Sequence, residues 1–591
     1  MEETARSNIK LTSRLMFRLL PMQVILSLVG TLNGIISGLF ASNFVGTDAV
    51  TAIGLYNPIN LFIGAISLMF VGGVTIICGK YMGRNEDEKV QGVFSLGNVL
   101  GVLVGILFSL FCIVVGFFDL SGLFTSDLAV RPFFNSYVVG QAIGIIPLFL
   151  GNQLASFLSL QNHARRTLVS GVIYIIVNLI LNVVFVVCMH MEAFGLSLAS
   201  SFGLWVYYFA QAGYFMKRTS PFRIFTRLCS AHESARIVKV GIPGAATYAY
   251  QMFRGFIVNA LLASYIGSRA ISAFTASDTL LRIAWAIPTG MLAVARMLIS
   301  ISIGEEDRQT LTDVMRNVFR RYIPLMCTIC AGIIICAVPL TKLFFRDTSD
   351  SVFMMTVWGF RLLPLCMPFS IICLIFTCYA QSSGKHVLVN LLAILDGVIC
   401  VAGFTALLIP YIGMNSVYIA NILNGVVTTI VIVVYSIVVK RHIPRDMDDL
   451  MAVPDDFGVS EDERMDVSVI SEQEVVSVAS RVQQFCIARG IDEKRSYLAG
   501  LFLEEMAGNI VSHGFTKDNK PHSVDIRIVH KDNDVIMRIR DDCIAFDPAT
   551  RKQLSDPDDT TKNIGIRMIY KLASDIEYKN MLGLNVLTAR I

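Results

Sequence analysis

Charged residues are scarce in this sequence of 591 residues. They make up 16% of the chain, against about 25% in typical globular proteins, whereas hydrophobic residues make up 54%. A mean hydropathy of +0.62 indicates that much of the chain lies in lipid, which excludes an ordinary soluble protein. The formal net charge is only +4, so nucleic acid is excluded as a partner bound by phosphate neutralisation.

Paired cysteines are also lacking, although the chain contains 13 cysteines. Most fall singly in apolar runs. Cys327 and Cys330 form one Cys-x-x-Cys pair, without a second pair or a histidine to complete a metal site. We interpret the cysteines as small hydrophobic residues, which excludes a secreted protein held by disulfides. A Gly-x-x-x-x-Gly-Lys-Ser/Thr loop is absent too, which argues against a pump driven directly by ATP.

Long hydrophobic runs fill the chain up to residue 440. We count about twelve segments of membrane-spanning length. They are 15–42, 51–79, 91–118, 130–160, 167–189, 195–216, 238–265, 271–302, 315–340, 353–381, 387–409 and 414–439. The predicted fold class is a multi-pass α-helical membrane protein of about 12 transmembrane helices in the lipid bilayer, followed by a C-terminal α/β sandwich domain.

Lysine and arginine are concentrated in every second connecting loop. The loops after the even-numbered segments hold most of them, whereas the alternate loops hold only Arg131, Arg269, Lys342 and Arg346. Basic loops stay in the cytoplasm. With an even number of spans, we expect both termini in the cytoplasm and the plasma membrane as the location.

The apolar part of the chain repeats itself. Residues 43–52 (NFVGTDAVTA) are similar to residues 264–273 (SYIGSRAISA), and Gly83 has a counterpart in Gly304, both offset by about 220 residues. Six spans in residues 1–220 are therefore followed by six similar spans in residues 238–440. Two parallel halves suit alternating access around a central cleft.

This layout resembles the multidrug and toxic compound extrusion (MATE) family over about residues 10–440. The resemblance is carried by residues 45–52 after the first span, by the loop Gly79-Lys-Tyr-Met-Gly83, by their second-half repeats and by residues 178–182. It implies export of organic cations or other amphipathic small molecules in exchange for Na⁺ or H⁺. Many members of the family have an acidic residue in the first span, about where this chain has Ser37.

Ionisable residues inside apolar spans are costly and are therefore candidates for function. The candidates are Arg254, Asp278, Arg282, Arg296 and Asp396. Asp278 and Arg282 are four residues apart on one helix face, so they either neutralise each other or bind an ion or substrate.

Asp396 has no obvious partner nearby in the sequence. It is either a coupling carboxylate or the acceptor of a buried hydrogen bond from a neighbouring span. Asn178 and Asn182 share a face of the fifth span, where they contact either substrate or another helix through hydrogen bonds.

The composition changes after residue 440. An acidic linker over 441–463 precedes a domain over 464–591, which is long enough for one α/β domain. Its pattern predicts a strand at 465–470, helices at 474–488 and 495–512, a hairpin of strands at 524–528 and 535–539, a helix at 563–573 and a final strand at 586–591.

This domain resembles the ATP-binding domain shared by histidine kinases, gyrases and anti-sigma-factor kinases. The pieces that match occur in the family's order. They are Glu505 and Asn509 with His513-Gly514, then Asp541 and Phe546-Asp-Pro548, then Gly565 at a helix start, then Gly583 before the last strand.

The resemblance implies a Mg-ATP site and a role for each residue. The Asn509 oxygen holds Mg²⁺ against the phosphates, and Glu505 orients or deprotonates an attacking hydroxyl. Asp541 accepts a hydrogen bond from the adenine amino group, and Gly565 lets backbone N–H groups approach phosphate. Phe546 and Gly583 complete the cofactor-binding set. The family usually has glycine where this chain has Cys543, Ala545 and Asn563, and Cβ atoms there should impede binding.

Two classes of function follow. The first is a MATE-like exporter of a small-molecule substrate, regulated by a cytosolic nucleotide-binding domain. The alternative is a membrane sensor whose C-terminal domain acts on a cytosolic regulatory protein, as an anti-sigma-type serine kinase or as a binding module.

Overall fold

The computed structural model has a large helical part and a C-terminal sheet domain. It describes residues 2–84, 86–123, 128–161, 163–216, 222, 230–342, 351–517, 522–531, 534–544, 575–581 and 583–591. The expected helix at 563–573 lies outside these residues, as do Phe546, Ala545 and Gly565.

The helical part comprises sixteen α-helices in the described residues. They are α1 (Glu2–Phe40), α2 (Thr47–Gly83), α3 (Asp87–Phe117), α4 (Arg131–Leu160), α5 (Ala164–Asn182), α6 (Glu192–Phe215), α7 (Ala231–Tyr265), α8 (Ser268–Gly304), α9 (Arg308–Asn317), α10 (Ile323–Ile335), α11 (Ala337–Lys342), α12 (Ser351–Leu362), α13 (Met367–Ser383), α14 (His386–Ile394), α15 (Cys400–Ile412) and α16 (Asn415–Lys440). Several consecutive helices join through wide turns into one long span.

Ten helical segments of the described chain are long and apolar enough to cross a membrane. The multi-pass helical fold class is therefore confirmed, although the count of twelve is not. The two other expected spans coincide with α1, of 39 residues, and α7, of 35 residues.

The sequence repeat has a structural counterpart. Gly46 and Gly267 both have positive φ, at 127° and 103°, a backbone conformation that favours glycine. Each precedes a helix of 37 residues, α2 or α8, and these two helices end at Gly83 and Gly304. Equivalent turns therefore start and end equivalent helices in the two halves.

The ends of α2 and α8 are in close contact along what we call the domain-side seam, formed by residues 79–83 of α2 and 300–304 of α8. A Cβ atom on Gly304 would overlap the backbone oxygen of Lys80, and one on Gly83 would lie 2.7 Å from the Glu305 nitrogen. Because backbone atoms are on both sides, this approach requires glycine. The two halves are closed against each other at this end.

The segment between α16 and the sheet domain packs on the helical part. It contains one short helix, α17 (Met447–Leu450). Arg308 donates to Asp448 at 2.6 Å, and the Lys385 ammonium donates to the Met451 backbone oxygen at 2.8 Å. Contacts with charged groups of two neighbouring loops therefore hold this acidic stretch against the helices.

The sheet domain has five antiparallel strands in the order β1-β2-β3-β5-β4. The strands are β1 (Arg464–Val469), β2 (Val524–Lys531), β3 (Asp534–Asp541), β4 (Asp575–Met581) and β5 (Leu584–Arg590). Helices α18 (Glu472–Ile487) and α19 (Glu493–Asn509) pack on one face. This arrangement confirms the predicted C-terminal α/β domain, and β4 is a strand that the sequence pattern did not predict.

Capping residues define where both helices of this domain begin. Ser471 accepts a hydrogen bond from the Glu474 backbone N–H at 3.4 Å, and Asp492 accepts one from the Arg495 N–H at 3.0 Å. The apolar residues of the strands, such as Ile526 and Met537, are buried under the helices. The other face of the sheet contacts the helical part; it carries charged residues and also Val586 of β5, which is buried in the core of the helical part.

We predict that Gly304→Ala destabilises the protein by about 1–3 kcal/mol, because the added methyl overpacks a contact between backbones. The measurement is thermal unfolding of the purified chain in detergent. Gly332→Ala in α10 is the matched control, since a Cβ at Gly332 meets nothing within 4 Å and alanine favours the helix. An unchanged melting temperature for Gly304→Ala would contradict the close contact at the seam.

Candidate functional site: a nucleotide corner and polar residues in the spans

Asp541 lies at the end of β3 and is 4% exposed. Its Oδ1 accepts hydrogen bonds from the Cys543 backbone N–H at 2.9 Å and from the Asn585 side-chain amide at 2.7 Å. Burial raises the pKa of this carboxyl above its ordinary value, while the hydrogen bond from Asn585 acts in the opposite direction. The carboxylate is therefore held in a fixed orientation at a strand end.

Asn585 is the residue that supports this carboxylate. It lies opposite Asp541 in the pairing of β3 with β5 and is 5% exposed. Its side-chain oxygen accepts from the Tyr578 hydroxyl and from the Asn580 amide, both at 2.8 Å. Because both donors are on β4, the edge strand positions Asp541 through Asn585.

Glu505 and Asn509 lie one turn apart near the end of α19, and both are half-buried. The Asn509 amide donates to the Glu505 backbone oxygen at 2.6 Å, an orientation that presents the amide oxygen as a ligand atom. After Asn509 the chain forms a wide turn over Ile510–Gly514. A Cβ on Gly514 would lie 3.2 Å from the Cys543 sulfur, so the end of α19 reaches the Asp541 corner.

The three other residues of the expected cofactor-binding set, Phe546, Gly565 and Gly583, have different outcomes. Gly583 forms the turn between β4 and β5 with φ at 85°, so its glycine is required by the hairpin next to Asn585. Phe546 and Gly565 lie outside the described residues. Cys543 is buried, and its side chain hydrogen-bonds to the Asp541 carboxylate. A thiol therefore contacts the very group that adenine would use.

The polar residues of the spans are mostly paired with each other. Arg282 donates to Asp278 within α8 at 3.0 Å, which is the self-neutralising arrangement. Asn178 donates to Ser200 of α6 at 3.1 Å, and Asn182 donates to the Asn178 side-chain oxygen at 2.7 Å. The two asparagines are fully buried, so they connect α5 to α6 by hydrogen bonds.

Asp396 has a partner across a helix interface. It lies in a wide turn over Leu395–Ile399, between α14 and α15. Asn424 of α16 donates to its Oδ1 at 2.8 Å, and Arg254 of α7 donates to its backbone oxygen at 3.4 Å. The structure thus brings together two of the candidates, Arg254 and Asp396. Wide turns of this kind occur often at functional sites.

Sequence reasoning missed Asn424 and the role of Asn585. Asn585 lies 44 residues from Asp541, and only the pairing of β3 with β5 identifies their contact. Asn424 lies 28 residues from Asp396, in the next span. The one sequence signal for Asn424 is that it is a polar amide in an otherwise apolar helix.

Comparison with known families gives two matches. Residues 24–184 match the MatE family, and residues 470–591 match the family described as the histidine kinase-like ATPase domain. The chain joins a MatE domain to a histidine kinase-like ATPase domain. A comparison with curated proteins gives no match.

Solved structures of MATE transporters have the same fold as the helical part. One is the crystal structure of MATE in complex with MaL6, with a TM-score of 0.67 and 18% identity, covering 71% of this chain and 94% of that chain. An outward-facing multidrug resistance MATE family transporter of the MOP superfamily gives a TM-score of 0.66, with 18% identity and the same coverage. A MOP superfamily transporter from Pyrococcus furiosus gives 0.64 and 17% identity, again over 71% and 94% of the two chains.

Proposed function

We propose that the protein is a secondary active exporter of amphipathic small molecules, coupled to Na⁺ or H⁺ and regulated by its nucleotide-binding domain. The observation that carries this proposal is the MATE fold of two similar halves that meet at the domain-side seam. A transporter alternates by opening its two halves first at one end and then at the other. The similarity of the fold to a multidrug resistance MATE family transporter supports drugs and related amphipaths as the substrate class.

The proposed orientation places the sheet domain and both termini in the cytoplasm of a cell with this protein in its plasma membrane. The basic loops support it, and the sheet domain needs access to cytosolic ATP. We predict that alkaline phosphatase fused after Ile591 is inactive in cells, whereas the same enzyme inserted in the loop after α3 is active. Activity of the C-terminal fusion would contradict this topology.

Asp396 is the carboxylate proposed to bind the coupling ion. In the first half Ser37 stands where the family often has an acid, so coupling requires an acid elsewhere. Asp278 pairs with Arg282, whereas the Asp396 carboxylate accepts from the neutral Asn424 amide, and Arg254 contacts the Asp396 backbone oxygen. A carboxylate among apolar helices can exchange a proton or Na⁺ as its surroundings open.

We predict that Asp396→Asn abolishes ion-driven efflux of ethidium or a fluoroquinolone while the protein still inserts and folds. Removal of the charge removes the group to be protonated, and the amide still fills the space next to Asn424. Efflux from intact cells is measured together with the amount of protein in membranes. Asp396→Glu is the control, since it keeps the carboxylate and should retain partial efflux. Unchanged efflux by Asp396→Asn would limit this residue to its hydrogen bond.

The C-terminal corner is proposed to bind Mg-ATP. The residues fit at two points, because Asn509 presents its amide oxygen and Asp541 is fixed at the strand end. When bound, the nucleotide would supply a transferable phosphoryl group. Glu505 would then orient or deprotonate the accepting hydroxyl, which makes weak ATPase or serine kinase activity the proposed chemistry. The Cys543 thiol does not fit a nucleotide site, because it hydrogen-bonds to the Asp541 carboxylate that adenine would need.

We predict that Asn509→Ala and Asp541→Asn each weaken Mg-ATP binding by roughly ten- to a hundredfold, the loss of one charge-assisted contact. Cys543→Gly should strengthen binding, since it frees the carboxylate and removes a side chain from the corner. Glu505→Gln should leave the affinity unchanged and remove phosphoryl transfer. Calorimetry on the purified chain measures the affinity of each of the four variants for Mg-ATP. No affinity at millimolar Mg-ATP, with Cys543→Gly included, would refute the nucleotide site.

Regulation of transport by this domain has a physical route in the structure. Asp542, the residue directly after Asp541, pairs with Arg14 of α1 at 3.2 Å and with His522 at 2.8 Å. A nucleotide at Asp541 would therefore act next to a contact with the first transporter half. In the alternative sensor function this contact would carry a signal from the membrane part to the domain, and ATP binding without any efflux would favour that alternative.

A further inference from the structure

Three arginines lie on the polar face of the sheet. Arg527 of β2 is paired across the strands with Arg538 of β3, and Arg540 lies two residues further along β3. Like charges directly opposite in a sheet repel each other, and these side chains are only 10–16% exposed. Asp466 of β1 lies opposite Arg527 and contacts it at 3.9 Å, and Asp525 of β2 lies opposite Arg540. The shorter ion pairs of the three arginines are nevertheless with acidic partners from outside the domain.

The loop between α8 and α9, in the second half, supplies those partners. Arg538 contacts Glu305 at 3.1 Å, and Arg540 contacts Asp307 at 3.1 Å and also pairs with Glu305. Arg527 pairs with Asp307 as well. Glu305 and Asp307 are 4% and 2% exposed, so the cluster is almost fully removed from water.

The ionisation of Asp307 shows how closely these charges depend on one another. Burial alone would raise the pKa of its carboxyl, but the guanidiniums of Arg527 and Arg540 hold it well below the ordinary value. Asp307 also caps α9 by accepting from the Thr310 backbone N–H at 2.9 Å. Removal of either the carboxylates or the arginines would leave unpaired buried charges, which is strongly unfavourable. The sheet domain is firmly attached to the second half.

Contacts with the first half are more exposed. Lys579 of β4 pairs with Asp87 at the start of α3 at 2.7 Å, and the Asp87 side chain is 65% exposed. Arg14 of α1, whose side chain is 40% exposed, pairs with Asp542. The other member of each pair, Lys579 or Asp542, is only 15–16% exposed. An ion pair with one exposed member contributes less free energy than a buried cluster, so these two pairs break and form again more easily than the arginine cluster.

Both groups of contacts lie next to the domain-side seam. Asp87 follows Gly83 by four residues, and Glu305 follows Gly304 directly. The sheet domain thus connects the ends of α2 and α8, and it does so where the two helices approach most closely. Separation of the halves at this end has to break the contacts on one side of the domain. The first half contributes two ion pairs and the packing of α1 on β1 and β2, and its ion pairs are more exposed than the arginine cluster of the second half.

We infer that the sheet domain is a clamp that stays bound to the second half and holds the domain-side seam closed through its contacts with the first half. This inference rests on the proposed transport function and names its regulation. Opening of the transporter toward the domain then requires release of Lys579 from Asp87 and of Asp542 from Arg14. The clamp therefore favours the state that is open to the opposite side of the membrane.

A labelling experiment on the full chain tests the clamp. Ser300 lies in the seam against Gly79 and is fully buried, so Ser300→Cys should react with a polar maleimide only when the seam opens. The rate is followed by mass spectrometry of the peptide that carries residue 300. Added Asp87→Lys should raise this rate roughly two- to tenfold, since repulsion from Lys579 replaces an exposed ion pair.

Two further variants separate the clamp from a general charge effect. Glu88→Lys makes the same charge change one residue along and, in the described part of the chain, Glu88 has no ion pair with the sheet domain, so the rate should not change. Asp87→Lys combined with Lys579→Asp should restore the parent rate. Equal acceleration by Glu88→Lys, no acceleration by Asp87→Lys or no recovery in the double variant would each overturn the clamp.

The labelling readout does not depend on transport. A parent chain that exports nothing but shows the predicted order of labelling rates would refute the proposed function and retain the clamp. A chain that exports ethidium but whose labelling is the same in all variants would refute the clamp alone.

Discussion

Two buried carboxylates, Glu305 and Asp307, and three arginines of the sheet domain depend on each other. A charge removed from water costs several kcal/mol unless it is paired with good geometry, so neither group is stable in this position alone. The cluster joins a domain that has its own core to a membrane part that has another. It also attaches the domain to the second half, whereas the ion pairs of the domain with the first half are more exposed.

The same rule governs the polar residues within the spans. In an apolar surrounding a polar side chain has to find a partner, and Asn178, Asn182 and Asp278 find theirs within their own half. Such pairing makes a structural role hard to distinguish from a functional one. Asp396 differs because the hydrogen bond from Asn424 satisfies its oxygen without cancelling its charge. Arg254 also reaches the Asp396 backbone oxygen, so this residue is connected to both α7 and α16.

Much of the fold could be predicted from the chain alone. The length of the apolar segments indicates the spans, and the basic loops indicate their orientation. The repeated glycines mark equivalent helix ends, since backbones in such close contact leave no room for a Cβ atom. Alternating apolar residues predict β2 and β3. The edge strand β4 (Asp575–Met581) was missed because an edge strand has few buried neighbours, so only Ile576 and Tyr578 pack on the core and its pattern is mostly polar.

Hydropathy, repeats and short motifs predict the class of each part of this protein: a duplicated helical membrane part and an ATPase-like domain with Glu505, Asn509 and Asp541 in order. These properties depend on periodicity and on short spacings, which a chain carries locally. Only the tertiary structure decided that Asn585 supports Asp541, that Asn424 meets Asp396 and that the arginines of the sheet lie on the loop after α8. Such contacts join residues that are 28 to 235 positions apart, and their energy depends on burial that no local pattern specifies.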